Sequence, residues 1–273
     1  MKHARARTAA ALVLCTCALL TRAEQIEKLT LSLTVKKIVE AKEALGHADC
    51  VVAPQSKELL AVDNHGRKTI DVFDLDGRFK RTMPTQGFPD MEGLVHMQGS
   101  QFAAVDEKLR TITTLTIMPW TRKVAKRSGR TYKLNLPEAA NNGLEGITYN
   151  AAQRCFYVVN EGPLAVYKVV LVGRSAKVSE LFDAESMLGR KCKDLLDVVY
   201  EPKSRHLFFL SDKSEAIFET DLQGNILSVH PIPAGLPEGI AFSTDRSKLY
   251  LIDQKGILYR YDVTWRADDV PSR

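Results

Sequence analysis

Five times along this chain an acidic residue opens a short apolar run, and the copies stand 43, 53, 52 and 41 residues apart. They are Asp49-Cys50-Val51-Val52, Glu92-Gly93-Leu94-Val95, Glu145-Gly146-Ile147-Thr148, Asp197-Val198-Val199-Tyr200 and Glu238-Gly239-Ile240-Ala241. A period in this range marks a supersecondary unit that cannot bury its own apolar face and must stack on copies of itself, as in propellers and solenoids.

Each copy continues alike. Fourteen or fifteen residues after the acid, a second apolar run ends at Asp63, Asp106, Asn160, Asp212 or Asp253. A third run follows at 70–73, 112–117, 165–171, 216–220 and 257–261. Runs of β-branched and aromatic residues bounded by polar turn residues read as strands. In two copies the third run closes in Asp74-Leu75-Asp76-Gly77 or Asp221-Leu222-Gln223-Gly224, with glycine placed for the positive φ of a tight turn, and a fourth run follows. Four antiparallel strands make one propeller blade. The fold class expected is therefore all-β, a five-bladed β-propeller.

The last unit has three strand runs, the third ending near Val263. Leu29 to Val35 alternates apolar and polar residues without a slip and supplies the missing outer strand, closing the ring. Closure matters because an open ring leaves sheet edges and an unburied blade face. A loose strand packed elsewhere is the alternative.

Residues 1–23 read as a signal peptide: Lys2, Arg5 and Arg7, then the apolar stretch 8–20, then Thr21-Arg22-Ala23. The stretch is short for a membrane span, which takes about 20 apolar residues. Secretion, or delivery to a periplasm or cell envelope, is expected. An organellar transit peptide or an uncleaved membrane anchor is the alternative. Setting this segment aside leaves 34 Lys and Arg against 33 Asp and Glu, a net charge of +1, so no global field argues for nucleic acid. Residues 24–273 are then read as one propeller domain, and a monomer is expected. Cys50, Cys155 and Cys192 form no disulfide framework and no zinc pattern. Two irregular stretches stand out: 118–133, basic and read as a solvated outer hairpin, and 181–193, with room for a short helix at 184–188.

The residue opening the innermost strand of a blade sits at one mouth of the central channel. Glycine after the acid in three copies suits the crowding there. Two unit charges ~6 Å apart repel by roughly 3 kcal/mol at an effective dielectric of 20, so gathered carboxylates need either protons or a cation. Calcium accepts six to eight oxygen ligands in irregular geometry, whereas magnesium wants a tight octahedron and softer metals want His or Cys. For one such acid the plainer reading is a strand start facing solvent. For five in register a calcium ion is the expectation, with Asp49, Glu92, Glu145, Asp197 and Glu238 as ligands. Asp63, Asp106, Asn160, Asp212 and Asp253 are read as turn-makers.

Asp90-Met91-Glu92-Gly93, Asn142-Gly143-Leu144-Glu145-Gly146, Val166-Tyr167-Lys168-Val169 and Pro237-Glu238-Gly239-Ile240-Ala241 resemble the SdiA-regulated (YjiK-like) family, in order, over about residues 40–263. The resemblance implies a five-bladed propeller, distantly similar to NHL-repeat propellers, with calcium on the axis. It implies Glu92, Glu145 and Glu238 as family ligands, and small polar residues where Asp49 and Asp197 stand. It also implies an exported or membrane-tethered protein, and it brings no established reaction.

Hydrolysis at a channel ion would need a general base and a pocket above it. His47 and His96 lie near the channel in sequence, but a lone histidine is more often structural. No nucleophile elbow, phosphate loop or zinc-protease motif occurs. The function expected is a calcium-binding, non-enzymatic binding or signalling scaffold for an unidentified small-molecule or protein ligand. A calcium-dependent hydrolase of a lactone, ester or phosphoester is the alternative.

Overall fold

A computed structural model of the chain describes residues 27–38, 46–136, 142–232 and 237–267. The expected signal segment, 1–23, lies outside the described residues.

Strand β1 (Glu27–Ile38) comes first, and the blades follow in chain order. The first blade is β2 (His47–Ala53), β3 (Glu58–Asp63), β4 (Thr69–Asp74) and β5 (Phe79–Gln86). The second is β6 (Met91–Gln98), β7 (Gln101–Asp106) and β8 (Thr111–Thr116), then β10 (Arg130–Lys133) after the two-residue β9 (Val124–Ala125). The third is β11 (Asn142–Asn150), β12 (Cys155–Gly162), β13 (Ala165–Val172) and β14 (Ser175–Phe182). The fourth is β15 (Asp197–Glu201), β16 (His206–Ser211), β17 (Ala216–Thr220) and β18 (Ile226–Pro231). The fifth is β19 (Pro237–Phe242), β20 (Lys248–Asp253) and β21 (Ile257–Ala267), and β1 completes it.

Ring closure is therefore as the alternation at 29–35 suggested. β1 pairs antiparallel with β21 from Glu27↔Ala267 to Ile38↔Ile257, a longer seam than the seven alternating residues marked. The basic stretch 118–133 is more than an outer hairpin. Its β9 adds to β5 in parallel as a fifth strand of the first sheet, and its β10 is the outer strand of the second blade. The short helix between third and fourth blades is α1 (Ala184–Met187), and the Asp183 side chain caps it by accepting from Ser186 N at 3.0 Å.

The period-2 strand pattern explains why the units must form a ring. In β3, Leu60 and Val62 pack with Met91, Leu94 and Phe102 of the second blade. Leu59 and Ala61, pointing the opposite way, pack with Ala241, Tyr250 and Ile252 of the fifth. The same division recurs in β16, where Phe209 faces the third blade and Phe208 and Leu210 face the fifth. Each blade thus has two apolar faces and supplies half of two cores. Five such cores, one between each neighbouring pair, run unbroken round the molecule. Cys50, Cys155 and Cys192 are buried free thiols within them.

First strands touch first strands all the way round, so β2, β6, β11, β15 and β19 enclose the axis. Outer strands such as β18 alternate half-buried and exposed residues, as a one-sided strand should.

Candidate metal centre at the channel mouth

The five acids of the repeat do not occupy one slot. Register shows why. Asp49 pairs with Val62, Gly93 with Val105, Asp197 with Leu210 and Gly239 with Ile252, the partner in each case being the last residue but one of the second strand. Asp49 and Asp197 are therefore the structural equivalents of the glycines, not of the glutamates. The position of the glutamates belongs in those two blades to Ala48 and Leu196. The expectation of five carboxylates at one level is corrected accordingly: three stand at the mouth and two stand one residue deeper.

Glu92 and Glu238 sit in β-bulges, between Met91 and Gly93 and between Pro237 and Gly239. Glu145 sits in the irregularity between Leu144 and Ile147. A bulge leaves its extra residue unpaired and re-aims the side chain, here out of the inter-blade core.

At that mouth the residues that come after Asp63, Asp106, Asn160, Ser211 and Asp253 form a second tier: Asn64, Glu107, Glu161, Asp212 and Gln254. Asn64 Nδ2 donates to Glu92 Oε2 at 2.5 Å, and Gln254 Nε2 donates to Glu238 Oε1 at 2.5 Å. Glu107 accepts from Gly143 N at 2.9 Å. Asp90 lies beside Glu92 and Glu107, and the three offer oxygens all within 4.8 Å of one another. Among the described residues this is the one acidic group drawn so close.

The electrostatics are lopsided. Burial raises the Glu92 carboxyl to about 7, helped by the charges of Asp90 and Glu107 and opposed by the Asn64 bond. Burial raises Glu145 to about 9, with further upward pressure from Glu92, Glu107, Glu161 and Glu238. Glu238 rises to about 8, again through burial first and then Asp212, Glu92 and Glu161. The three repeat glutamates are thus close enough to oppose one another's ionisation, although Glu145 and Glu238 lie outside the tight triple. Against these acids stand two rim lysines: Lys68 lies 3.5 Å from Asp90 and Lys213 lies 2.7 Å from Glu161.

Asp49 and Asp197 form a different arrangement. Both are buried, and they share a hydrogen bond across the channel. Asp49 Oδ2 accepts from Leu94 N at 2.5 Å, joining the first blade to the second. Asp197 Oδ2 accepts from Ile240 N at 2.8 Å, joining the fourth to the fifth. Desolvation raises both carboxyls, Asp49 to about 7 and Asp197 well above the carboxylate range. Two carboxyls held this way keep at least one proton between them.

The strand-end residues behave as turn-makers. Asp253 accepts from Lys255 N at 2.8 Å and from Ile257 N at 2.7 Å, and Asp106 accepts from Leu109 N at 2.9 Å. Asp212 is the exception: Ser211 occupies the strand-end slot, paired with Ala216, and Asp212 falls into the mouth tier beside Glu238. The histidines are structural. His47 is buried with its Nε2 3.3 Å from Asp71 Oδ2, and His96 Nε2 lies 2.8 Å from Gly99 O.

Asp90, Glu107, Glu161 and Asp212 were not among the expected ligands. For the last three the signal existed: the residue after each strand-end Asx or Ser is polar in every copy.

The donor set is entirely oxygen, with no thiol or imidazole in the group of three, which suits a hard divalent cation. A calcium or comparable ion fits the Asp90, Glu92 and Glu107 seat by chemistry and spacing.

A family model described as SdiA-regulated matches residues 25–262. Solved structures of the same fold include regucalcin from Agrobacterium tumefaciens, described as a calcium-binding protein. It is 12% identical, with 86% of this chain and 95% of that one covered at a TM-score of 0.57. A gluconolactonase from Xanthomonas campestris is 10% identical, with 89% and 92% covered at a TM-score of 0.55. At these identities the likeness carries the fold alone.

Proposed function

We propose that this chain, which belongs to the SdiA-regulated family, is an exported propeller that holds a calcium ion at its acidic mouth and serves there as a binding or signalling scaffold. The observation carrying this reading is the gathering of acids at the mouth: Asp90, Glu92 and Glu107 drawn together, with the Glu92, Glu238 and Glu145 carboxyls displaced to about 7, 8 and 9 and few cations to offset them. A site under that electrostatic load gains from a divalent ion. Asp90, Glu92 and Glu107 would hold it, with Glu145 and Glu238 facing it. Asp49 and Asp197 leave the ligand set, because their oxygens face each other and the amides of neighbouring blades. Calcium binding by regucalcin, a propeller of the same fold, lends the choice of calcium some support.

Export rests on the composition of residues 1–23, and near-neutral charge beyond them supports a partner other than nucleic acid. The physiological ligand would be a small molecule or protein that completes the ion's coordination, met by a monomeric propeller.

One observation favours a hydrolase as the second reading. Glu145 stands beside the seat but outside the tight triple, where a carboxylate is placed to serve as a general base. When bound, the ion would supply Lewis-acid polarisation of a substrate oxygen. Calcium titration of the chain lacking residues 1–23, beside Glu92→Gln and Glu107→Gln, tests the site. An affinity loss of at least about tenfold in either variant is expected. A lactonase, esterase and phosphoesterase panel with and without chelator tests the choice. Turnover abolished by chelation and by Glu145→Gln selects the hydrolase, and no turnover with intact calcium binding selects the scaffold.

A further inference from the structure

The channel is divided. Beyond the Asp49–Asp197 pair, away from the glutamates, it opens into a cavity of about 310 Å³ that none of the mouth acids line. Its wall is apolar: Val51, Val95, Ile147, Val199 and Ile240 among others. Asp49 and Asp197 line it as well, and Tyr149, Tyr200 and Phe242 line it on three blades. It passes exposed Pro202, Lys203 and Thr244. A volume of this order lies at the lower end of ordinary small-ligand pockets.

From this geometry we infer that the cavity is a binding site, separate from the mouth, for a small apolar amine whose ammonium group sits on the Asp49–Asp197 pair. Above about pH 7, where Asp49 ionises and Asp197 keeps its proton, the two carboxyls share one proton and carry one negative charge in an apolar surround, and a buried charge of that kind favours a cationic partner. The pair retains capacity to accept. The amides of Leu94, Cys50, Ile240 and Val198 and the shared proton occupy most of the roughly eight lone-pair positions of two carboxyls, leaving about two.

The basic side chains in the lining do not already neutralise the pair. Arg246 is held by Glu201, with Nη2 3.0 Å from Oε2, and stacks 4.0 Å over the Trp265 ring. Lys203 is at the exposed rim, and His96 turns its Nε2 to Gly99 O at 2.8 Å. Aromatic faces at Tyr149, Tyr200 and Phe242 suit both the body of such a ligand and its cation. The glycines explain how two acids reach this depth. An added Cβ at Gly146 would stand 2.2 Å from Asp197 Oδ1, and one at Gly239 would stand 2.7 Å from the Asp49 Cα.

Three probes of one shape separate this from a plain apolar cavity: 2-phenylethylamine, the neutral 2-phenylethanol and the anionic 3-phenylpropanoate, titrated calorimetrically into the folded chain. The amine is expected to bind saturably and at least about tenfold more tightly than either isostere, as differential charge pairing requires. Asp49→Asn together with Asp197→Asn, which keeps shape but removes both ionisable carboxyls, should erase that preference. Val51→Phe leaves the pair intact and fills the space, and should abolish binding of the amine even if the double variant fails to fold. Equal binding of the alcohol or the propanoate overturns the inference. So does amine binding that survives Val51→Phe, or no saturable binding by the amine at all.

Discussion

Buried among other acids, the Glu145 carboxyl keeps its proton up to about pH 9, and Glu238 and Glu92 keep theirs up to about 8 and 7. A carboxyl raised in this way binds its proton more tightly in the folded chain than in the unfolded one. Its contribution to stability is full below the unfolded value near 4.5 and is lost as pH climbs through the folded value. Asp49 adds to the same trend, with its own rise to about 7. Glu219 has the opposite sign. Burial would raise it, but hydrogen bonds from His206, His230 and Ser228 overcome this and hold it at about 2, so its contribution is lost as pH falls from about 4.5. The metal-free protein should therefore melt highest near pH 4.5, with Tm falling from there towards pH 9. Glu145→Gln should flatten the alkaline fall. A thermal melt series in chelator checks this, and an unchanged slope in the variant would show that the group ionises without penalty.

At the scale of single strands, the one-residue offset between Asp and Glu-Gly is what the sequence did not reveal. The period, the strand runs and the Gly77 and Gly224 turns were all legible, because alternation and turn chemistry are local. The offset was not, because the bulge slot, held by Glu92 in β6 and Glu238 in β19 but by Ala48 in β2, shows only in cross-strand pairing, and aligning each acid as the first residue of its strand hid it. Asp212 was misplaced in the same way, counted with the strand ends although Ser211 holds that slot. Glycine in the repeat follows from the same geometry. At Gly146 an added Cβ would stand 2.4 Å from the Asp197 Cα and 2.8 Å from Val198 N, and backbone cannot step aside as a flexible side chain can. Gly146→Ala is expected to destabilise the fold by about 1–3 kcal/mol through overpacking. Chemical denaturation measures it, and a loss below about 0.5 kcal/mol would mean that the blades can part there without strain.

For the whole molecule, stability is a closed circuit of five inter-blade cores, and β1 is the element that closes it. Leu29 is buried in the core between fourth and fifth blades. Deleting residues 27–38 strips β21 of its partner strand and leaves an edge, so the truncated chain should lose cooperative unfolding and self-associate. A melt as sharp as that of the full chain, with no added self-association, would contradict the closed-ring account. The ring was legible because its period is written five times. The mouth was half legible: Glu92, Glu145 and Glu238 stood out by repetition, whereas Asp90 and Glu107 gain their meaning from where bulge and turn meet in space. The central claim is that a cation replaces protons at that mouth, and calcium calorimetry at pH 7 in two buffers of different ionisation enthalpy tests it most directly. Saturable binding with about one proton or more released per ion, and affinity rising from pH 6 to 8, is the predicted result. Binding with no proton release, or no binding at any pH in that range, would contradict it.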